Sequence, residues 1–229
     1  MKLRYLIPAL ALSVACSGNK HEMQHEHAQH QHVNTAEAGL HEHGAHAAGE
    51  AMLEPSDASI YNLDSRWVSH TGDSINLHTL QGRVQLVAMV YTACEYACPR
   101  IVADMKRIEE AVVDTWGHQV GFVLVSIDPK HDTPEKLREF ARKNGFNPHR
   151  WQLLHGSEGN ILELAALLGV QYKKVGEKDF SHSNVITVLD AAGEIKHQQL
   201  GLGVKPDETI AAIQQLLIKQ MEGRSLKHH

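Results

Sequence analysis

The sequence predicts a single α/β domain behind a non-globular leader, and three observations predict it. Strand-length apolar runs alternate with helix-length amphipathic ones between residues 57 and 222. One almost wholly apolar run of strand length leads straight into a cysteine pair and a proline. Residues 17–56, by contrast, are poor in the large apolar side chains that a core requires. A chain of 229 residues holds one well-cored domain plus appendages. Its apolar content of 42% is ordinary for a globular protein, and a net charge of -5 offers no basic face to nucleic acid, which is excluded as a partner.

The leader has two parts. Lys2 and Arg4 precede an apolar stretch over 5–15, broken only by Pro8 and Ser13, in the layout of a secretory signal. The stretch is shorter than the about 20 apolar residues that span a bilayer. It ends in Leu12-Ser13-Val14-Ala15-Cys16, small residues before a cysteine as in the lipobox of bacterial lipoproteins, with Ser13 where a leucine is usual. Residues 1–16 therefore read as a signal peptide and Cys16 as the lipidation site. Ordinary cleavage, or an uncleaved anchor with Cys16 as an apolar filler, is the alternative. An unpaired thiol is a liability in an oxidising compartment, and acylation of Cys16 leaves Cys94 and Cys98 as the remaining pair of the three cysteines. The expected location is extracytoplasmic, anchored to a membrane by lipid, on the periplasmic face if the cell is Gram-negative.

Residues 17–56 are rich in His, Glu, Gln, Ala and Gly, and read as a disordered tether. They include eight histidines, His21, His25, His27, His30, His32, His41, His43 and His46. A flexible strand can wrap several imidazoles round one copper, zinc or nickel ion, so these are auxiliary metal ligands. The blander readings are a soluble spacer or a pH-responsive tail.

Within the domain, Trp67-Val68 and residues 74–77, separated by Thr71-Gly72-Asp73, form a hairpin, and residues 83–91 form a buried central strand. Pro99 fits the first turn of a helix to about Thr115, with Ile101, Met105, Ile108 and Val112 on one face. Then follow a strand over 120–127, a helix over 134–143, a strand over 151–154 and a helix from Ser157 to near Gly169. A strand over 185–189, a turn at Gly193, a strand over 195–198 and a last helix from Pro206 complete the domain, with 223–229 as a tail. A hairpin, then strand, cysteine pair and helix, is the order of a thioredoxin-like fold.

The chemistry centres on Cys94-Glu95-Tyr96-Ala97-Cys98-Pro99, at the carboxyl end of the central strand, where open α/β sheets place their ligands. Cys98 falls at the helix start, where free N–H groups and the helix dipole favour the thiolate. Three intervening residues allow a loop wide enough to aim both sulfurs at one ion, and two thiolates suit Cu(I). Alone, such a pair is also compatible with a structural disulfide or two buried thiols. A third ligand is expected from histidine, which serves both Cu(I) and Cu(II). Of His70, His78, His118, His131, His149, His155, His182 and His197, most are expected to be surface residues. His182 stands out because its loop precedes the 185–189 strand and, in a thioredoxin-like fold, packs beside the cysteine turn. Asp132 or Thr133 caps the helix that starts at Pro134, and Asp128 is a candidate for hydrogen bonding behind the ligands.

Residues 91–99, Ser126-Ile127-Asp128-Pro129 with Asp132-Thr133-Pro134, and His182-Ser183 with Asp190 and Gly193 together resemble the Sco/SenC family. The resemblance implies a thioredoxin-like domain that binds one copper, as Cu(I) or Cu(II), through Cys94, Cys98 and His182. It implies a metallochaperone that delivers this ion to the dinuclear copper centre of cytochrome c oxidase. The implied partners are the apo-oxidase copper-centre subunit, thiol reductases or other copper carriers, and the membrane. Glu95 and Ser181 stand where the family often has Pro and Asp, and Thr187 where an aromatic is frequent; the charge of Glu95 favours Cu(II). Two rival functions remain: a thiol-disulfide oxidoreductase using Cys94 and Cys98 as its redox pair on oxidase-subunit or other extracytoplasmic cysteines, and a metal-buffering or redox-sensing lipoprotein. An imidazole at His182 distinguishes the chaperone, since dithiol exchange does not need it.

Overall fold

The computed structural model describes residues 55–226. The segment read as a signal peptide, with Cys16, and the eight histidines of the segment read as a tether lie outside the described residues. Near the start of the described part, the Ser56 carbonyl accepts from Ser59 N at 2.9 Å and from Asn62 Nδ2 at 2.7 Å. The last of the residues read as tether is thus already fastened to the domain.

The chain runs β1 (Arg66–Ser69), β2 (Ser74–Asn76), β3 (Val84–Val90), α1 (Ala97–Trp116), β4 (Val120–Ser126), α2 (Pro134–Lys143) and β5 (Trp151–His155). It continues through α3 (Glu158–Leu167), β6 (Tyr172–Lys174), β7 (Phe180–His182), β8 (Val185–Leu189), β9 (Ile195–Leu200) and α4 (Asp207–Leu226). Seven strands form one sheet in the order β2-β1-β5-β4-β3-β8-β9, and β6 pairs with β7 separately. Every residue of β3 and β4 is buried, which is why both read as unbroken apolar runs rather than as alternating ones.

Local chemistry explains the helix starts. Thr133 caps α2 by accepting from Lys136 N, with Pro134 in the first turn, and Ser157 caps α3 by accepting from Asn160 N. Helix α1 buries Ile101, Val102, Met105, Ile108 and Val112 on the face spaced three and four apart, and packs against β3, β4 and α4. Its Asp104, also buried, accepts from Gly203 N at 2.8 Å and from Arg107, fixing the loop after β9. Trp151 stacks between Phe122 and Phe146, with ring centroids 4.8 and 4.0 Å away. Helix α4 reaches Leu226, four residues past the end expected at 222, so part of the presumed tail is helical.

Two registers place the functional segments. β3 and β4 run parallel with Val90 opposite Ser126, so the turns that follow them share one sheet edge, and Ile127 N donates to Val90 O at 2.9 Å. β8 runs antiparallel to β3 with Ala88 opposite Ile186. The amino end of β8, and β7 just before it, therefore meet the carboxyl end of β3.

Between β8 and β9, Gly193 has φ +85°, and its carbonyl accepts from Ile60 N at 3.1 Å. A Cβ there would stand 2.5 Å from the Tyr61 ring and 2.7 Å from Ser59 Oγ. Gly193→Ala combines a left-handed backbone with overpacking, and is expected to cost roughly 2–4 kcal/mol of unfolding free energy in urea titration. A variant as stable as the parent would contradict this account of the turn.

Candidate metal centre

The cysteine turn begins where β3 ends. Cys94 N donates to Tyr91 O at 3.2 Å, which closes a tight turn, and Tyr96 leads into α1. Cys98 in the first helical turn is 0% exposed, while Cys94 is half-buried. The Cys98 N–H donates to Cys94 Sγ at 3.3 Å, and the Tyr91 N–H to Cys98 Sγ at 3.5 Å.

His182 arrives at the end of β7, not in an open loop. Its Nδ1 bonds to Ser183 O at 3.0 Å; a carbonyl only accepts, so Nδ1 donates there and Nε2 is the ring nitrogen left to face the sulfurs. Nε2 lies 3.9 Å from Cys98 Sγ. One ligand atom each from Cys94, Cys98 and His182 falls within 4.8 Å of the others, and no comparable group of three occurs elsewhere among the described residues. Neither cysteine is in a disulfide. Two sulfurs and one imidazole nitrogen form a soft donor set for which a single copper ion is a chemical fit.

The two thiols differ sharply. Burial works to raise both, but at Cys94 it is outweighed by donors from the helix start, led by the Cys98 N–H, and its pKa falls. Cys98 is driven upward, first by burial and then by the neighbouring Cys94 and Asp132. This corrects the sequence expectation that the helix start favours the Cys98 thiolate: the N–H of the first turn points at Cys94. Tyr91 is pushed up to about 12, chiefly by burial.

The two aspartates also part company. Asp128 directs its carboxylate to His131 Nδ1, at 2.7 and 2.9 Å, and makes no hydrogen bond to Cys94, Cys98 or His182. Asp132 is the carboxylate behind the cysteine turn: it accepts from Thr92 N at 2.9 Å, from the Thr92 hydroxyl and from Ser126 Oγ at 2.7 Å. Capping of α2 belongs to Thr133. A hydroxyl at 92 and at 126 was the available clue, but the pairing needs the parallel register of β3 and β4. Tyr91 was missed as well; its ring stands edge-on to His182, with centroids 5.9 Å apart.

Three other described histidines serve the scaffold. Buried His70 accepts from Leu153 N through Nδ1, His155 Nδ1 bonds to Asp132 O at 2.9 Å, and His197 Nε2 meets Thr209 Oγ1 at 3.0 Å. An open recess of about 440 Å³ lined by Gln171, Tyr172, Lys173, Ser181, His182 and Ser183 leads from solvent to the imidazole. Among the described residues, no helix is long and apolar enough to cross a membrane.

The SCO1/SenC family model matches residues 54–218, which include all three ligand candidates. The chain belongs to the SCO1/SenC family. An SCO2-like protein of Rickettsia typhi is 28% identical over 147 residues, covering 60% of this chain and 70% of that protein. The structure of Arabidopsis thaliana ScoI with copper bound superposes with a TM-score of 0.59 at 21% identity, over 66% of this chain and 96% of that one. The structure of BsSco, described as a Sco family member with a disulfide switch and as a cytochrome c oxidase assembly protein, gives 0.59 at 23%, over 72% and 92%. These likenesses show that the SCO1/SenC domain here has the thioredoxin-like fold.

Exposure and thiolate character coincide at Cys94 and are both absent at Cys98. Limited alkylation of the reduced protein is expected to label Cys94 first and to retain its rate at pH values where an ordinary thiol slows. Cys98 is expected to react only on unfolding, as read by peptide mass spectrometry; equal labelling would contradict the asymmetry.

Proposed function

We propose that the chain is a copper metallochaperone that binds one ion through Cys94, Cys98 and His182 and delivers it to the dinuclear copper centre of cytochrome c oxidase. The observation that carries this reading is the convergence of two thiols and the outward imidazole nitrogen of His182 within 4.8 Å of one another. Membership of a family with copper-bound and oxidase-assembly relatives supports it. Buried Cys98 retains the ion, while half-exposed Cys94 is the sulfur that an incoming client thiolate meets first, so transfer proceeds by replacing one thiolate at a time. A Cys94–Cys98 disulfide would remove two ligands at once, which makes loading depend on reduction. Lipidation at Cys16 would hold the domain at the outer side of a membrane, and the tether histidines would collect ions beside it.

The cysteine asymmetry also favours a second reading, thiol-disulfide exchange. Cys94 thiolate attacks a client disulfide and releases one client thiolate; Cys98 loses its proton, attacks Cys94 Sγ and releases the other. The client gains two electrons, the pair becomes a disulfide, and an external dithiol reductase must restore it.

His182→Ala separates the two. Removing a direct nitrogen ligand is expected to weaken copper at least as much as loss of an outer partner does, about 10 to 100-fold, and to abolish oxidase loading. Dithiol exchange depends on thiolate fraction and access, so its rate should change little. Copper competition, exchange kinetics and oxidase metallation in the same variant provide the check. Unchanged affinity would remove His182 from the ligand set, and normal loading despite weakened affinity would favour the reductase.

A further inference from the structure

Tyr91 touches every part of the site without being a ligand. It is 5% exposed, and its N–H donates to Cys98 Sγ at 3.5 Å. Its ring packs on Phe180, centroids 5.3 Å apart, and edge-on against His182 at 5.9 Å. The hydroxyl donates to Phe180 O and accepts from Phe180 N, each at 3.4 Å, and the Tyr91 carbonyl accepts from Cys94 N at 3.2 Å. Apart from the Cys98–His182 contact itself, no other hydrogen bond involving a side chain joins β7 to residues 91–98 among the described residues.

This matters because β6 and β7 stand apart from the main sheet. The pair is three residues deep, and Lys173, Lys174 and Ser181 within it are exposed. Of its six strand residues only Tyr172, Phe180 and His182 are half-buried, the first two against the core, and few buried contacts mark the low-stability end of a fold. Its base is tied by Gly201 N to Asn184 O at 2.9 Å, beyond His182. What sets the spacing between imidazole and sulfurs must act closer to the ligands, and Tyr91 is placed there.

We propose that Tyr91 is a positioning residue whose hydroxyl, bonded to both backbone groups of Phe180, fixes the His182 hairpin at the separation from Cys94 and Cys98 that one copper ion requires. The positioning is a property of the metal-free protein; its consequence for copper rests on the metallochaperone reading. A phenylalanine would keep the ring contacts and lose only the hydroxyl, so Tyr91→Phe isolates the claim.

The test compares wild type, Tyr91→Phe, His182→Ala and the double variant, each first shown to be folded by its melting curve. In metal-free protein, amide exchange at Phe180 and His182 is expected to rise several-fold in Tyr91→Phe while β4 amides stay unchanged. In copper-loaded protein, release to a chelator is expected to speed up by about tenfold, in line with loss of an outer partner, with a shifted thiolate-to-Cu(II) band. In the His182→Ala background the same substitution should still raise amide exchange at Phe180 but add nothing to copper release, because the hydroxyl acts on the ion only through the hairpin's imidazole. Unchanged amide exchange at Phe180 and His182 would overturn the positioning role, as would a full effect on copper release persisting without His182. Should wild type bind no copper through its thiols, the metallochaperone reading fails, and the metal-free exchange comparison still decides the role of Tyr91.

Discussion

Everything at the site depends on the antiparallel register of β8 against β3. With Ala88 opposite Ile186, the chain entering β8 is delivered to the point where β3 gives way to the cysteine turn. Residues 84 positions apart in sequence thereby come within 3.9 Å of each other, Cys98 Sγ to His182 Nε2. Because side chains alternate along a strand, a slip of one residue would exchange the faces of β8 and destroy both the core and the ligand set. The slip would also strand Thr187, the one polar residue of the buried β8, whose hydroxyl accepts from Gln198 Nε2 at 3.0 Å.

On this frame the cysteine turn is shaped from two sides. Below it, Asp132 binds both the N–H and hydroxyl of Thr92 and so anchors the start of the turn to the loop after β4. Above it, the first helical turn supplies the N–H that stabilises charge on Cys94. Burial acts in the opposite sense on Cys98. The two sulfurs are chemically different before any metal arrives, and a retained ligand and an exchangeable one follow from that difference.

Much of this was legible in the sequence because the deciding signals are local. Thr133 and Pro134 mark the start of α2, Ser157 marks that of α3, and the runs in β3, β4 and β8 have the length and composition of buried strands. The cysteine pair and His182 were identifiable because each lies beside such an element. The β6–β7 hairpin was not: its strands are three residues long, too short for any period to appear, and its sequence has the look of loop. Asp132 next to Thr133 looks like a cap until the parallel register brings Thr92 to its carboxylate. The contrast between the cysteines escaped because it depends on which sulfur the helix N–H groups face, a matter of three-dimensional direction rather than of spacing.

The central claim is that Cys94, Cys98 and His182 bind one and the same ion. X-ray absorption at the copper edge of the reduced, singly loaded domain measures it most directly, since scattering from sulfur and nitrogen neighbours is distinguishable. The account predicts two sulfurs and one imidazole nitrogen in wild type, with the nitrogen contribution lost in His182→Ala and both sulfurs retained. A single sulfur, or an imidazole signal that survives the substitution, would contradict it.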